Sequence, residues 1–182
     1  MKSRFKQIVL LISVALFSQT LSADGFTLKS DSMIGQISSS QVFNGFGCTG
    51  ENISPELSWK NPPKGTKSFA VTVYDPDAPT GSGWWHWVVF NIPKDTKQIS
   101  KNASSLNSLP KGSIQSKTDF GTTAFGGACP PQGDSPHAYI TTVYALDTEK
   151  LNLDENANPA LVGYMINMHT IAKSSVMAYY KR

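Results

Sequence analysis

Two apolar runs with the periods of β-strands flank a polar turn. In residues 69–74, large apolar side chains at Phe69, Val71 and Val73 alternate with other types, which is the two-residue period of a strand with one buried face. Residues 85–92 are mostly aromatic and β-branched, as is typical of a strand buried on both faces. We therefore expect the turn between them to lie at the rim of a sheet, where binding groups usually sit.

The second half of the chain predicts one more strand and a helix. Residues 138–146 are rich in the β-branched and aromatic types that suit a strand. Asn158 is suited to cap a helix that has Pro159 at its first position. Four side chains of this helix share one stripe at helical spacing, namely Leu161, Val162, Met165 and His169, so we interpret His169 as structural. Residues 175–181 fit either a strand or a frayed helix.

The length of 182 residues fits a single domain, and 40% apolar with 16% charged residues is typical of a globular chain. Residues 94–114 are rich in Ser, Asn and Lys without a clear period, which indicates a long surface excursion rather than a linker. We consider this excursion a candidate border of the site.

Residues 1–23 predict an export signal, so the folded domain is expected to be 24–182. Lys2, Arg4 and Lys6 precede an apolar run, and small residues follow it at a suitable cleavage position. A membrane anchor is the alternative, but the run is well short of the ~20 residues that cross a bilayer. We therefore expect a periplasmic or secreted protein with no transmembrane segment in the mature chain.

Loss of the signal removes three of the 16 basic residues and leaves 13, which equals the 13 acidic ones. The net charge of +3 then disappears, so the sequence does not support a nucleic-acid partner. Two cysteines, Cys48 and Cys129, lie in a chain expected in an oxidising compartment, and we predict that they pair. The alternative is that both cysteines are free buried thiols. A disulfide that closes so long a loop would raise the free energy of unfolding by up to ~4 kcal/mol.

Two turn-rich segments carry candidate site residues. Residues 75–79 read Asp-Pro-Asp-Ala-Pro, and the prolines hold both carboxylates on a stiff bend. Residues 125–139 contain glycines whose main-chain N–H groups are free to point at an anion, and prolines that hold the loop in shape.

Each candidate also has a structural interpretation. An isolated histidine such as His86 on a strand face is more often a core residue. Aspartate favours turns and bonds its own backbone, so we expect one of Asp75 and Asp77 to cap the turn and the other to contact a ligand. His137 could equally brace its loop. The tryptophans at positions 84, 85 and 87 are expected to fill the core, with at least one at the rim.

Four ordered motifs make the chain similar to a known family: Asn-x-Ser-Pro-x-Leu-x-Trp at 52–59, the acidic bend at 75–79, Gly-x-x-His-Trp-Val-Val-x-Asn-Ile at 83–92, and Gly-Gly-x-Cys-Pro-Pro-x-Gly-x-x-x-His-x-Tyr at 126–139. Together they resemble the phosphatidylethanolamine-binding protein (PEBP) family. More narrowly, they resemble the exported members of its bacterial Raf-kinase-inhibitor-like (YbhB/YbcL) branch. The resemblance covers nearly all of the chain after residue 23.

The resemblance implies a mostly β fold, a PEBP-like β-sandwich with Greek-key elements and a few peripheral helices. It also implies a small pocket for anions such as phosphate, acetate or a phospholipid headgroup. Carried over by position, the pocket comprises Asp75, Asp77, Pro79, His86, Gly127, Ala128, Cys129, Pro130, His137 and Tyr139. Cys129 departs from the glycine often found there in eukaryotic members, which affects backbone access to the anion.

Hydrogen-bonding logic agrees with such a pocket. A carboxylate of the acidic bend is placed to accept one ring N–H of His86, which leaves the other nitrogen to donate to a phosphate oxygen. The Tyr139 hydroxyl and the loop amides would supply further donors. The ammonium group of phosphoethanolamine would face Asp75 or Asp77.

We expect a binding protein rather than an enzyme, because the usual serine-nucleophile, zinc-protease and nucleotide motifs are missing from the sequence. We expect no cofactor and no metal, since the Asp and His residues lack a closed ligand spacing. A phosphoester hydrolase using the same His/Asp pocket is the alternative. The protein would act as a kinase- or protease-inhibitor-like modulator of an unidentified protein partner, and a homodimer is one of the states we consider.

Overall fold

The computed structural model describes residues 25–182, so the expected signal at 1–23 lies outside the described residues. The strands are β1 (Thr27–Lys29), β2 (Gly35–Gln36), β3 (Asn44–Gly45), β4 (Cys48–Thr49), β5 (Leu57–Lys60), β6 (Ser68–Asp75), β7 (Trp84–Pro93), β8 (Gln98–Ile99), β9 (Ile114–Gln115), β10 (His137–Leu146) and β11 (Thr170–Tyr180). A 3₁₀ turn at Ser39–Gln41 and one α-helix, α1 (Pro159–His169), complete the regular elements of the described part. The predicted mostly β fold is confirmed.

The strands form a large sheet, a small sheet and a hairpin. The large sheet has the order β2-β11-β10-β6-β7-β9, with all pairs antiparallel except β2 with β11. The small sheet has the order β1-β5-β8, and β3 pairs with β4. The main core lies between the two sheets, while α1 packs against the other face of the large sheet. The helical content among residues 25–182 is therefore a single peripheral helix rather than a few.

β7 explains why a strand can be apolar on both faces. Trp87 and Val89 belong to the core between the sheets, whereas Val88 and Phe90 belong to the core beneath α1. All four side chains are fully buried. The continuous apolar run thus reflects two covering layers, as the sequence predicted.

The helix begins as the sequence predicted, but the expected stripe is wrong in one place. The Asn158 side chain accepts a hydrogen bond from the Ala160 N–H at 2.9 Å, and Pro159 is the first helical residue. Val162 is fully buried, whereas Leu161 is 47% exposed. Apolar residues surround much of this short helix, so the pattern alone did not identify the face that packs against the sheet.

The C-terminal segment, for which the sequence left two interpretations, is a strand. β11 starts at Thr170 and pairs with β10 along its length. Its side chains alternate between exposed and partly covered, because one face looks toward the small sheet. His169, at the end of α1, lies 2.8 Å from Asp147 and takes no part in the cavity described below. Across residues 25–182, no helix is long and apolar enough to cross a membrane.

Candidate functional site

A cavity of about 210 Å³ lies at the end of the large sheet where β6 ends and where β7 and β10 begin. Asp75 is the last residue of β6, His137 is the first residue of β10, and His86 lies near the start of β7. Neighbouring antiparallel strands bring these ends to one edge. The cavity is lined by Phe46, Asp75, Ala78, Pro79, Thr80, Trp84, His86, Phe120, Cys129, Pro130, Pro131, His137 and Tyr139.

Asp75 caps the acidic bend and also pairs with a histidine. One carboxylate oxygen, Oδ1, accepts the N–H groups of Asp77 at 2.8 Å and Ala78 at 3.2 Å. The other oxygen, Oδ2, lies 2.8 Å from Nδ1 of His137. The side chain is buried, so both oxygens are engaged within the protein.

His137 is held between two carboxylates. Its Nδ1 faces Asp75, and its Nε2 lies 3.3 Å from Oδ2 of Asp134. Burial disfavours the charged imidazolium, but the hydrogen bonds and negative charges of the two carboxylates outweigh burial and raise the pKa of His137 above its ordinary value. His137 therefore braces its loop against the acidic bend and also contributes to the cavity wall.

Asp77 lies outside the cavity lining, although the sequence placed it in the pocket. Its Oδ2 accepts the N–H of Ala138 at 2.7 Å, and the residue is exposed. Of the two aspartates, only Asp75 borders the cavity, and it also caps the turn. The expected division into one cap and one ligand contact is therefore not what the structure shows.

His86 is the buried ring at the back of the cavity. Its Nδ1 lies 2.7 Å from the carbonyl oxygen of Gly126, so this nitrogen carries the hydrogen and donates it. The expected carboxylate partner is wrong, because Asp75 pairs with His137 instead. Burial lowers the pKa of His86 to about 4 despite the Gly126 carbonyl and the charge of Asp75. At neutral pH the ring is therefore neutral, and its Nε2 carries a lone pair.

Tyr139 places a hydroxyl group in the same cavity. The residue is 1% exposed, and the hydrogen of its hydroxyl group has no acceptor among the described residues. Burial and the nearby charge of Asp75 raise the pKa of the hydroxyl far above its ordinary value, so it stays protonated. The rings of His86 and Tyr139 meet edge to face with centroids 5.1 Å apart. The two side chains therefore lie next to each other in the cavity lining.

The glycine-proline loop, residues 125–139, presents fewer backbone N–H groups to the cavity than the sequence predicted. The N–H of Gly127 donates to Oδ1 of Asn52 at 2.7 Å, and the N–H of Ala128 donates to the carbonyl of Gln41 at 2.9 Å. Neither residue lines the cavity, whereas Cys129 and Pro130 do. A Cβ at position 127 would lie 2.4 Å from the Gln41 carbonyl oxygen. Glycine is thus needed here for close backbone packing, not for an anion.

Two links hold the loop in place. The predicted Cys48–Cys129 pair forms a disulfide, with Cα atoms 6.0 Å apart. The Arg182 side chain donates through Nε to the carbonyl of Pro130 at 2.7 Å and through Nη2 to the carbonyl of Phe46 at 3.3 Å. Both carbonyls belong to residues of the cavity lining, so a guanidinium group sits beside the cavity. The sequence analysis missed Arg182, which carries no local motif.

Aromatic side chains form much of the cavity wall. Phe46 and Phe120 stack with centroids 5.9 Å apart, and Trp84 meets Phe120 edge to face at 5.4 Å. Trp84 confirms that one tryptophan lies at the rim, while Trp87 fills the core. Phe46 was not among the predicted site residues, although an apolar side chain between two glycines in a polar turn is unusual enough to mark it. In the structure the residue is 68% exposed.

The excursion at 94–114 does not border the cavity, contrary to the sequence interpretation, because none of its residues belongs to the lining. It is instead hydrogen-bonded to the residue before Gly126. The hydroxyl oxygen of Ser104 accepts the N–H of Phe125 at 2.9 Å, and the backbone N–H of Ser104 donates to the hydroxyl oxygen of Ser54 at 3.1 Å.

Comparisons with known proteins show which family the chain belongs to. The family model described as "Phosphatidylethanolamine-binding protein" matches residues 34–181. The chain is 54% identical over 148 residues to the UPF0098 protein YbcL of Escherichia coli, covering 80% of this chain and 81% of YbcL. It is 53% identical over 140 residues to YbhB of the same organism, covering 76% and 88%.

Solved structures show the same fold. The crystal structure of E. coli YbcL, described as a new member of the mammalian PEBP family, superposes with a TM-score of 0.84 at 51% identity, covering 86% of this chain and 98% of that one. A putative phosphatidylethanolamine-binding protein homolog from Chlamydia trachomatis gives a TM-score of 0.70 at 26% identity, covering 86% and 97%.

Proposed function

The chain belongs to the phosphatidylethanolamine-binding protein family, and we propose that it is a non-catalytic binding protein whose cavity takes a small anion such as a phosphorylated headgroup. The observation that carries the proposal is the buried Tyr139 hydroxyl, whose hydrogen has no acceptor within the described residues and which belongs to a side chain beside His86. A buried donor without an acceptor is costly, so a ligand oxygen that accepts from Tyr139 would relieve that cost.

The charge around the cavity supports an anion of modest size. Asp75 pairs with His137, whose pKa is raised by the two neighbouring carboxylates, and both oxygens of Asp75 already accept hydrogen bonds. The guanidinium group of Arg182 stands beside Phe46 and Pro130, two residues of the wall. A negative ligand therefore meets a positive group near the cavity and does not face an unpaired carboxylate.

Binding should take up a proton or require a protonated ligand. The neutral ring of His86 offers a lone pair at Nε2, which repels a phosphate oxygen that carries no hydrogen. A phosphomonoester has its second pKa near 6, so its monoanion can donate a hydrogen to Nε2. Affinity should therefore rise as the pH falls through this region.

The lining supports binding more than catalysis. The sulfur of Cys129 is held in the disulfide and is no free thiol. The hydroxyl of Thr80 donates to the Gly83 carbonyl at 2.5 Å. A nucleophile activated by a neighbouring base, as covalent catalysis needs, is therefore not formed by these groups.

We further propose that the protein works outside the cytosol, in the periplasm or after secretion, as a modulator of a protein partner. The disulfide supports an oxidising compartment. A partner would approach the cavity over the exposed aromatic ring of Phe46.

Calorimetric titration with phosphoethanolamine tests the anion cavity. Tyr139→Phe removes only the hydroxyl, and we expect affinity to fall about tenfold, since one hydrogen bond to a charged group is worth about 1.5–3 kcal/mol. Tyr164→Phe is the matched control, because Tyr164 lies on α1 and is 60% exposed. Unchanged affinity in the Tyr139 variant would reject the site.

The hydrolase alternative is tested on the same preparations. Purified protein is incubated with a model phosphomonoester, and released phosphate is measured over time. We expect no turnover. If the natural protein releases phosphate and the His86→Ala variant does not, the proposal of a non-catalytic binding protein is rejected in favour of a phosphoester hydrolase.

A further inference from the structure

A second concavity, of about 560 Å³, lies at the end of the large sheet opposite to the first cavity. Pro93, the last residue of β7, pairs there with Ser68, the first residue of β6, whereas the first cavity is at the Asp75 end of β6. We call it the lysine groove. It is lined by Trp59, Lys60, Asn61, Pro62, Lys94, Asp95, Thr96 and Lys97.

The lysine groove has an excess of positive charge. The lining includes three lysines, Lys60, Lys94 and Lys97, and a single acidic residue, Asp95. In the described part of the chain, none of these four side chains is in an ion pair. The lining thus has two positive charges more than negative ones, and an oxyanion would find donors that the protein itself does not use.

Trp59 supplies a second, independent sign of a ligand. The side chain is 3% exposed and packs against Phe69 with ring centroids 5.3 Å apart. Its indole N–H is buried and has no acceptor within residues 25–182. A buried donor without a partner indicates an acceptor that the described residues do not supply, either an ordered water or a ligand oxygen.

The lysine-bearing segments are held in place by backbone hydrogen bonds. The N–H of Trp59 donates to the carbonyl of Lys97 at 3.0 Å, and the N–H of Thr96 donates to the carbonyl of Pro93 at 2.9 Å. Downstream of Lys97, β8 pairs with β5. The rim of the groove is therefore formed before any ligand arrives.

We propose that the lysine groove binds a compact polyanion with at least two phosphate or carboxylate groups. Two or more negative charges match the charge excess of the lining, and an oxygen of the ligand would accept the Trp59 indole N–H. Pro62 and Trp59 would contact the non-polar part of an organic ligand. This site is independent of the anion cavity at His86, because the two share no lining residue.

Nuclear magnetic resonance of the four tryptophan indole N–H groups tests the proposal. The protein is titrated with inorganic pyrophosphate, and Trp59→Phe identifies the Trp59 signal. We expect that signal to shift in a saturable way, while the Trp84 signal at the other cavity responds separately. A Trp59 signal that does not move would overturn the proposal.

Charge-matched variants separate the site from general attraction. The triple variant Lys60→Gln, Lys94→Gln, Lys97→Gln should weaken pyrophosphate binding about tenfold, if each lysine contributes about 0.5 kcal/mol as exposed ion pairs do. The control Lys117→Gln, Lys173→Gln, Lys181→Gln removes the same charge from exposed positions outside the groove. An equal loss of pyrophosphate affinity in both variants would show that only the net charge of the protein matters, and it would reject the site.

A parallel titration with citrate distinguishes the two kinds of anionic group. Tighter binding of pyrophosphate assigns phosphate chemistry, and tighter binding of citrate assigns carboxylate chemistry. Failure of both probes to perturb Trp59 rejects a polyanion site.

Discussion

The buried pair of Asp75 and His137 makes a prediction about stability that depends on pH. In Asp75→Asn, the side-chain oxygen can still accept the N–H groups of Asp77 and Ala78, which now bond Oδ1. The new amide nitrogen instead faces Nδ1 of His137, which donates to Oδ2 at 2.8 Å in the natural protein. The substitution therefore removes the charge pair and keeps the turn cap.

The cost follows from the burial of both partners. The two side chains are 3% and 4% exposed, so the imidazolium would lose a charge-assisted hydrogen bond that solvent cannot replace. We expect the free energy of unfolding to fall by about 3 kcal/mol at pH 5.5, within the range of about 3–5 kcal/mol for removing one partner of a buried pair. The remaining carboxylate of Asp134 keeps the loss at the lower end.

The loss should shrink as the pH rises. The pKa of His137 is raised in the folded state, so the native protein binds the proton more tightly than the unfolded chain. Stability from this proton is fully present below the unfolded pKa of about 6.5 and is lost as pH rises through the folded pKa, by at most about 1.4 kcal/mol per pH unit. The variant retains only Asp134 beside the ring, so its stability depends less on pH and the two proteins should approach each other at alkaline pH.

Urea unfolding followed by circular dichroism, without reductant and at several values between pH 5.5 and 9, measures the difference. Asp134→Asn is the matched control, because Asp134 contacts the same ring at 3.3 Å but is 39% exposed. We expect this control to cost no more than about 1 kcal/mol. An Asp75→Asn difference that is the same at every pH, or an equal loss in the control, would refute the account.

Four further variants test the packing and the disulfide. Val162→Ala should lower the free energy of unfolding by about 2 kcal/mol, whereas Leu161→Ala on the exposed side of α1 should change it by less than about 0.5 kcal/mol, and chemical denaturation measures both. Replacing both Cys48 and Cys129 with Ser should lower stability by up to ~4 kcal/mol, and a thermal melt equal to that of the natural protein would contradict a formed bridge. Gly127→Ala forces a Cβ against neighbouring backbone and should cost about 1–3 kcal/mol, with unchanged denaturation as the contrary result.

The sequence predicted the elements that carry the site better than the contacts within it. The alternation in residues 69–74 and the continuous apolar run in residues 85–92 are both patterns of buried strands, so both strands were recognisable from the sequence. The partner of Asp75 was not, because it depends on pairing across the sheet. β10 places Ile140 opposite Tyr74, which brings the start of β10, and hence His137, to Asp75.

The residues that sequence reasoning missed come from distant parts of the chain. Phe46 lines the cavity and Arg182 lies beside it, and the disulfide and the Arg182 hydrogen bonds connect both regions to the segment at 129–130. Neither residue belongs to a local motif, so spacing along the chain gave no sign of their contact. Gly127 was predicted to contact the ligand and does not line the cavity. Its lack of a side chain instead allows the backbone of residues 41–43 to pack closely against it.

The clamp formed by Arg182 has a practical consequence for work on this protein. Its backbone carbonyl also accepts the N–H of Gly133 at 3.1 Å, so the last residue of the chain is fixed on both sides beside the cavity. Substitution of the Arg182 side chain would release the carbonyls of Phe46 and Pro130 together, and both residues belong to the cavity lining. A change at the last residue of the chain would thus alter the shape of the cavity wall.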